Sequence, residues 1–542
     1  MMRRLVALAA LMATASCGAQ SVTAPEPARE PPLASASAPS TSPPPPDAAV
    51  DPPADAAVDA LEADAAADGS PTAPDATAAA TDARPEIGSL GYITWIYRGA
   101  SRAGQPIGFI RPGTAVTLAS TTAVAGAGCG GARWYAVEPR GFVCADSSTT
   151  LNLADPLYAA LHQLIPPPDR FPSYRYAYSL GAPMYGRIPS RQEQQAAERE
   201  FFPLDKLVRD RKPRSGYEEL ATSEILHGDD PVPSLFAGGA EAPRMHGFDK
   251  GLVRRTIPEG SLMSFVAAFE AEGRTWLLTP DLTLVPSDRV RPFRVTSFHG
   301  VEIGGEVQLP LAWTRGTPKP KFRRGDDGKL TESSDTWPPR TVVLLTGQSV
   351  QQGALTFLET REPGVFVRDA DASVVRVPDP MPTRVADDEK WIDFSIGKGT
   401  FTLWVGKTPV FSTLASPGAG STPPRGNMTN EELVRGSHTP LGIYRIEYKT
   451  RTTTMSPEAT PNPEKHWIAD VGYTQYFRPP FAIHMAYWHE DFGNPKSGGC
   501  INLSPQDARR VFEWTAPSVP DEWSGAASYA ANGLGTKVVI RR

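Results

Sequence analysis

The chain has 542 residues and a formal net charge of −6, with 54 basic side chains set against 60 acidic ones; this balance lacks the basic face that nucleic acid requires of a partner. Its length is too great for one hydrophobic core, so several domains are expected. It carries four cysteines, Cys17, Cys129, Cys144 and Cys500, and beyond its first residues no run reaches the ~20 consecutive apolar residues of a membrane-spanning helix.

Residues 1–17 open with Arg3 and Arg4, continue with the apolar run Leu5 to Ala13, and end in small residues, the order of a secretory signal. The end of this segment, Thr14-Ala15-Ser16-Cys17, resembles the lipobox of bacterial lipoproteins, with Thr14 where that family usually has Leu. The resemblance implies a lipid anchor on Cys17 and a protein exported to the periplasmic side of a bacterial envelope. Gly18, rather than Asp, after the cysteine implies sorting to the outer membrane. The plainer reading is ordinary secretory cleavage beside a cysteine. Residues 18–86 form a Pro/Ala-rich tether that holds most of the acidic excess, from Glu26 to Asp82. With almost no aromatic or β-branched apolar residues it cannot offset its ordering entropy, and disorder is expected.

Residues 87–153 alternate short apolar strands with Gly and Pro punctuation: Gly91 to Ile96, Ile107 to Ile110, Thr114 to Leu118, Trp134 to Val137 and Gly141 to Cys144. Cys129 and Cys144 lie together in this small β-rich segment and can pair in an oxidising compartment. The segment "ARWYAVEPRGFVCAD" resembles the SH3-like barrels of bacterial envelope proteins, which implies a module that binds cell-wall peptide or glycan; a structural spacer is the alternative. Residues 154–388 read as a mixed, mostly β accessory region of one or two domains. A helix is expected from Arg191 to Val208, with strands around Arg274 to Leu278, Leu282 to Val285, Val342 to Leu345, Leu355 to Leu358 and Val374 to Val377. Lys319 to Arg324 reads as a solvated loop.

Residues 389–542 open with strand patterns at Trp391 to Ser395, Gly399 to Val405 and Thr408 to Ser412, and close with one at Gly535 to Ile540. A polar loop from Pro417 to His438 lies between them, and one helix is expected, from Ser504 to Trp514. Cys500 follows Ser497-Gly498-Gly499, a flexible turn with exposed amides, and precedes the strand-like Ile501 to Leu503. Ser504-Pro505-Gln506-Asp507 is a helix start: a capping Ser, Pro at the first helical position, and acid in the first turn. An unpaired thiol in an exported protein is either buried and inert or chemically employed. Here the turn's amides can hold a developing oxyanion, and His484, ending the strand-like Phe481 to His484, can take the thiol proton.

These residues resemble the catalytic-domain signature of L,D-transpeptidases: an apolar strand ending in His, a loop, then Ser-His-Gly-Cys-apolar-Asn. The matching positions are His484, Ser497, Gly499, Cys500, Ile501 and Asn502, with Thr439-Pro440-Leu441-Gly442 matching the family's Thr-Pro-x-Gly upstream. The resemblance implies a mainly β, multidomain chain whose last part is a β-sandwich-like mixed fold with a catalytic loop and short helix. It also implies peptidoglycan stem peptides as donor and acceptor, a place in cell-wall biogenesis and cell shape, and no metal or organic cofactor. Cys500 would be the nucleophile and His484 the base, with the amides of Gly499 and Cys500 as the oxyanion hole. Ser497 and Asn502 would shape the loop, and His489 would be an auxiliary. The chain departs from the signature at Gly498, where the family has His, and at Met485, where it has Gly; Met485 adds bulk beside the base. Two rival readings are a metal hydrolase built on His466, His484, His489, Glu490 and Asp491, whose spacing fits no zinc signature, and an envelope-binding lipoprotein whose transferase domain is inactive or hydrolytic.

Overall fold

A computed structural model describes residues 84–167, 169–198, 217–243, 251–420, 424–455, 468–528 and 532–542. The leader with Cys17 and nearly all of the tether lie outside the described residues, as does His466. The described residues from 85 to 542 fold as one compact unit. Among the described residues no helix is long and apolar enough to cross a membrane.

The N-terminal module places Ile87, Ile96, Ile107, Ile110, Val116 and Val143 in one core, with Trp523 and Ala526 from the far end of the chain inside it. A disulfide joins Cys129 to Cys144 with Cα atoms 5.8 Å apart, beside the buried Trp134. The expected strands are present with small shifts, and two more, Glu86–Ser89 and Thr149–Thr150, complete the module.

The accessory region holds two strand-rich modules. The first, from Arg175–Ser179 to Val290–Pro292, surrounds a buried ion network in which Glu198 accepts hydrogen bonds from Arg274, Arg289 and the Tyr185 hydroxyl. The second is a seven-stranded sheet from Leu311–Thr314 to Ala372–Val375. Two expectations need correction. Lys319–Arg324 is a strand and not a loop: Arg323 and Arg324 are exposed, Lys319 and Lys321 are half-buried, and Phe322 enters a small core, an apolar position hidden by the run of charge. The helix at Arg191 is Arg191–Ala197, closed by a capping box between Ser190 and Glu193; residues 199–208 of the expected span lie outside the described residues.

All three modules end alike, a repeat missed in the sequence. A hairpin leads through a short turn into a last strand at Phe142–Ala145 to Thr149–Thr150, at Leu284–Pro286 to Val290–Pro292, and at Val365–Arg368 to Ala372–Val375. In each turn an aspartate side chain accepts a hydrogen bond: Asp146 from Ser148 and Asp371 from Arg368 within the turn, and Asp288 from Arg274 on a neighbouring strand.

In the last part, one sheet runs Val301–Glu302, Thr408–Leu414, Thr400–Val405, Lys390–Ser395, Lys537–Arg541, Gly442–Arg445. The closing strand lies parallel to Lys390–Ser395. The second sheet contains Tyr448–Met455, Ile468–Arg478, Phe481–Met485 and Ile501–Leu503. It does not stop at the domain edge: Gly525–Ala527 joins Tyr448–Met455 to Pro106–Ile110, and Leu262–Phe265 joins Ile468–Arg478 on the other side. Helix Pro505–Trp514 is capped by Ser504, whose side chain accepts from the Asp507 amide. At its other end Lys449 Nζ donates to the carbonyls of Phe512 and Thr515 at 2.5 and 2.8 Å. A second helix, Asn430–Arg435, lies in the expected polar loop and starts on a Thr429/Glu432 capping box.

Candidate active site

Strand alternation places the chemistry-bearing side chains on one face of the second sheet. Tyr448 pairs with Tyr476, Tyr476 with Ala482, and Thr450 with Thr474. Phe481–Met485 and Ile501–Leu503 run parallel, with His484 opposite Asn502 and Ile483 opposite Ile501. Cys500 stands just ahead of Ile501 and contacts Ala482, which precedes His484 by two residues on its strand. Cys500 packs against Tyr476 and Ala482, with Tyr448 alongside. The two tyrosine rings stack at 4.3 Å. Met485 takes the opposite face and enters the main core, so it adds no bulk beside His484; the expectation of crowding there is overturned by the alternation of the strand.

The cysteine turn is held by close backbone contacts. Ser416 exchanges two backbone hydrogen bonds with Asn502, each 2.9 Å, and the Ala419 amide donates to the Ser497 carbonyl at 2.7 Å. Gly499 has φ +130°; a Cβ there would lie 2.5 Å from the Phe481 ring and 2.8 Å from the His438 carbonyl. Only glycine allows that approach. Ser497 Oγ donates to the Cys500 carbonyl at 2.5 Å and accepts from the Gly499 amide at 3.0 Å. Ser497 thus bridges two backbone groups of the turn. In this conformation the Gly499 N–H, expected to face an oxyanion, is turned back on Ser497.

Both site histidines are buried, and so is the thiol: His484 is 1% exposed and Cys500 0%. His484 Nδ1 lies 2.9 Å from the Met485 carbonyl. A carbonyl can only accept, so Nδ1 carries a proton, and in the neutral ring Nε2 bears the lone pair. Among the described residues Nε2 has no hydrogen-bond partner. His489 Nε2 lies 3.1 Å from Asn502 Nδ2, and burial pushes its pKa down to about 3, so it is neutral at physiological pH. The Asn502 side-chain NH2 can only donate, so His489 Nε2 accepts from it. Cys500 Sγ is 4.0 Å from the Pro480 carbonyl.

Neither His438 nor the tyrosine pair carries a local pattern that marks it in the sequence. His438 is 8% exposed, its ring lies between Gly420 and Gly436, and burial lowers its pKa. Its backbone borders the cysteine turn through a segment distant in sequence. Tyr448 and Tyr476 are visible only once strand register is known. Among the described residues no group of three or more His, Cys, Asp or Glu side chains could hold a metal.

Residues 389–540 match the family of the L,D-transpeptidase catalytic domain. Among solved structures, the chain is similar to an L,D-transpeptidase from Stackebrandtia nassauensis (20% identity, 30% of this chain and 59% of that one, TM-score 0.20). It is also similar to one from Xylanimonas cellulosilytica (20% identity, 30% and 64%, TM-score 0.19) and to one from Mycobacterium smegmatis (15% identity, 46% and 82%, TM-score 0.20). The chain thus spans about three fifths of the length of the first two. A comparison with curated proteins finds no match.

Proposed function

We propose that the L,D-transpeptidase catalytic domain at residues 389–540 acts on peptidoglycan stem peptides through a thioester on Cys500. The observation that carries this reading is the tautomer of His484: its Nδ1–H is committed to the Met485 carbonyl, which leaves Nε2 as a base on the face that holds Cys500. Nε2 takes the thiol proton as sulfur attacks the carbonyl carbon of the donor's third residue. The peptide C–N bond breaks, His484 returns the proton to the leaving amine, and the terminal D-alanine departs. An acceptor amine then attacks the thioester, loses a proton to His484, and expels the thiolate. Cross-linked peptide is the product; water as acceptor gives a trimmed peptide instead. Ser497, Gly499 and Asn502 hold the turn, and His489 acts on it through Asn502.

The rest of the chain fits work outside the cytoplasm. The Cys129–Cys144 disulfide suits an oxidising compartment. The lipobox-like Cys17 supplies the membrane anchor, the tether supplies reach toward the wall from the periplasmic face of the outer membrane, and the SH3-like N-terminal module contributes wall contact.

Two observations favour a second reading, a wall-binding lipoprotein whose transferase domain is inactive or hydrolytic: Cys500 is fully covered, and the Gly499 amide is turned inward. Incubating the purified chain with tetrapeptide muropeptides separates the two. Transfer predicts a Cys500 acyl adduct by mass spectrometry, release of D-alanine and a joined product. Tripeptide alone indicates hydrolysis, and no adduct at all rejects the enzymatic reading.

A further inference from the structure

The loop of residues 486–499 is the covalent link between His484 and Cys500, and side chains from outside residues 389–540 grip it along much of its length. Tyr487 stacks on Tyr176 at 3.7 Å and meets Phe293 edge-on at 5.7 Å. Glu490 accepts a two-pronged hydrogen bond from Arg294 at 2.9 and 3.0 Å and a third from Arg340 at 3.5 Å. The Glu490 amide donates to Glu219 at 3.1 Å. Arg294 follows the last strand of the first accessory module, and Arg340 stands in a turn of the second. Both modules therefore converge on one carboxylate, next in sequence to the histidine that holds Asn502.

We propose that Glu490, clamped by Arg294 and Arg340, is a positioning residue through which the accessory region sets the loop that aligns His489, Asn502 and His484. The inference rests on the reading of Cys500 and His484 as the reacting pair. Each step is short: Glu490 neighbours His489, His489 contacts Asn502, and Asn502 stands opposite His484. The neighbouring Trp488 ring lies 6.0 Å from the His484 ring. The Arg294 side chain is 52% exposed, so this ion pair contributes little to global stability. Its bidentate geometry instead fixes direction, which the aromatic contacts, being less directional, do not. Hydrogen bonds from Arg294 hold the Glu490 carboxyl below its ordinary range against the opposing effect of burial, so the clamp stays charged at neutral pH.

The test uses the full chain with Arg294→Ala, Glu490→Gln and the double variant, compared with the parent by turnover of tetrapeptide donor, by hydrogen exchange and by melting. Each single variant is expected to lower kcat about tenfold with KM held within about twofold. Exchange across 486–499 should rise about tenfold, with little change in melting. The double variant should be no slower than the worse single one, because both remove the same clamp. Unchanged exchange in both single variants overturns the proposal, as does faster exchange with unaltered kcat, or an additive loss in the double. If the parent turns over no peptide, the transferase reading fails, and exchange across 486–499 alone decides whether Glu490 holds the loop.

Discussion

His484 and Met485 are neighbours in sequence, yet their side chains leave opposite faces of one strand, and the carbonyl of the second fixes the proton of the first. Replacing His484 by Ala should slow acyl-enzyme formation by about 10²-fold or more, the scale of a lost acid–base partner; Cys500→Ala should abolish it. Single-turnover mass spectrometry of the adduct measures both. Asp507 offers a test of a different kind. It accepts from the Gly300 amide at 2.8 Å and from Thr413 Oγ1 at 2.5 Å, and burial raises its pKa to about 6. A carboxyl whose folded pKa is raised contributes stability at low pH and loses it as pH rises through that value. The stability of the parent relative to Asp507→Asn should therefore increase as pH falls from about 7 to 4, by up to roughly 3 kcal/mol for two pKa units. Urea unfolding at the two pH values reads the difference, and an advantage that shrank on acidification would count against the assignment.

At the scale of elements, what was legible in the sequence was what local chemistry dictates. Ser504, Pro505 and Asp507 announced a helix that begins where they say, and the apolar run Ile501 to Leu503 is the strand it suggested. Cys129 and Cys144 pair as their shared small module implied. The Asn430–Arg435 helix was missed although Thr429 and Glu432 spell its capping box, because a helix this short has little periodicity to read. The site's tyrosines and His438 were not legible, since register and long-range packing place them. Gly418 belongs with these. A Cβ there would stand 2.2 Å from the Ser437 carbonyl and 3.0 Å from the Gly499 Cα, so the backbone beside the cysteine turn would have to move. Gly418→Ala should destabilise by about 1–3 kcal/mol and slow acylation of Cys500, as read by thermal melting and adduct formation; an unperturbed variant would mean the turn has slack.

At the scale of the molecule, domain boundaries drawn from sequence do not coincide with the sheets. Trp523, from the last part of the chain, is a core residue of the N-terminal module, and a Cβ at Gly108 would lie 2.2 Å from its ring. A fragment of residues 389–542 alone would expose that ring and leave Gly525–Ala527 without its N-terminal partner strand. It should melt at least about 10 °C below the chain from residue 85, or aggregate, when the two are compared by calorimetry; equal melting would show that the continuous sheet adds nothing. Reducing the Cys129–Cys144 bridge, whose partners are 15 residues apart, should cost about 3 kcal/mol in urea unfolding of the chain, with the loss centred in the N-terminal module.

The placement of Glu86–Ser89 has a mechanical meaning. This first strand lies between Ala115–Thr117 and Thr149–Thr150, antiparallel to both. A pull directed along that strand loads the rungs on both sides together in shear instead of parting them one at a time. The three-stranded sheet around Glu86–Ser89 can thus take up tension before strain reaches the larger sheet that carries Cys500.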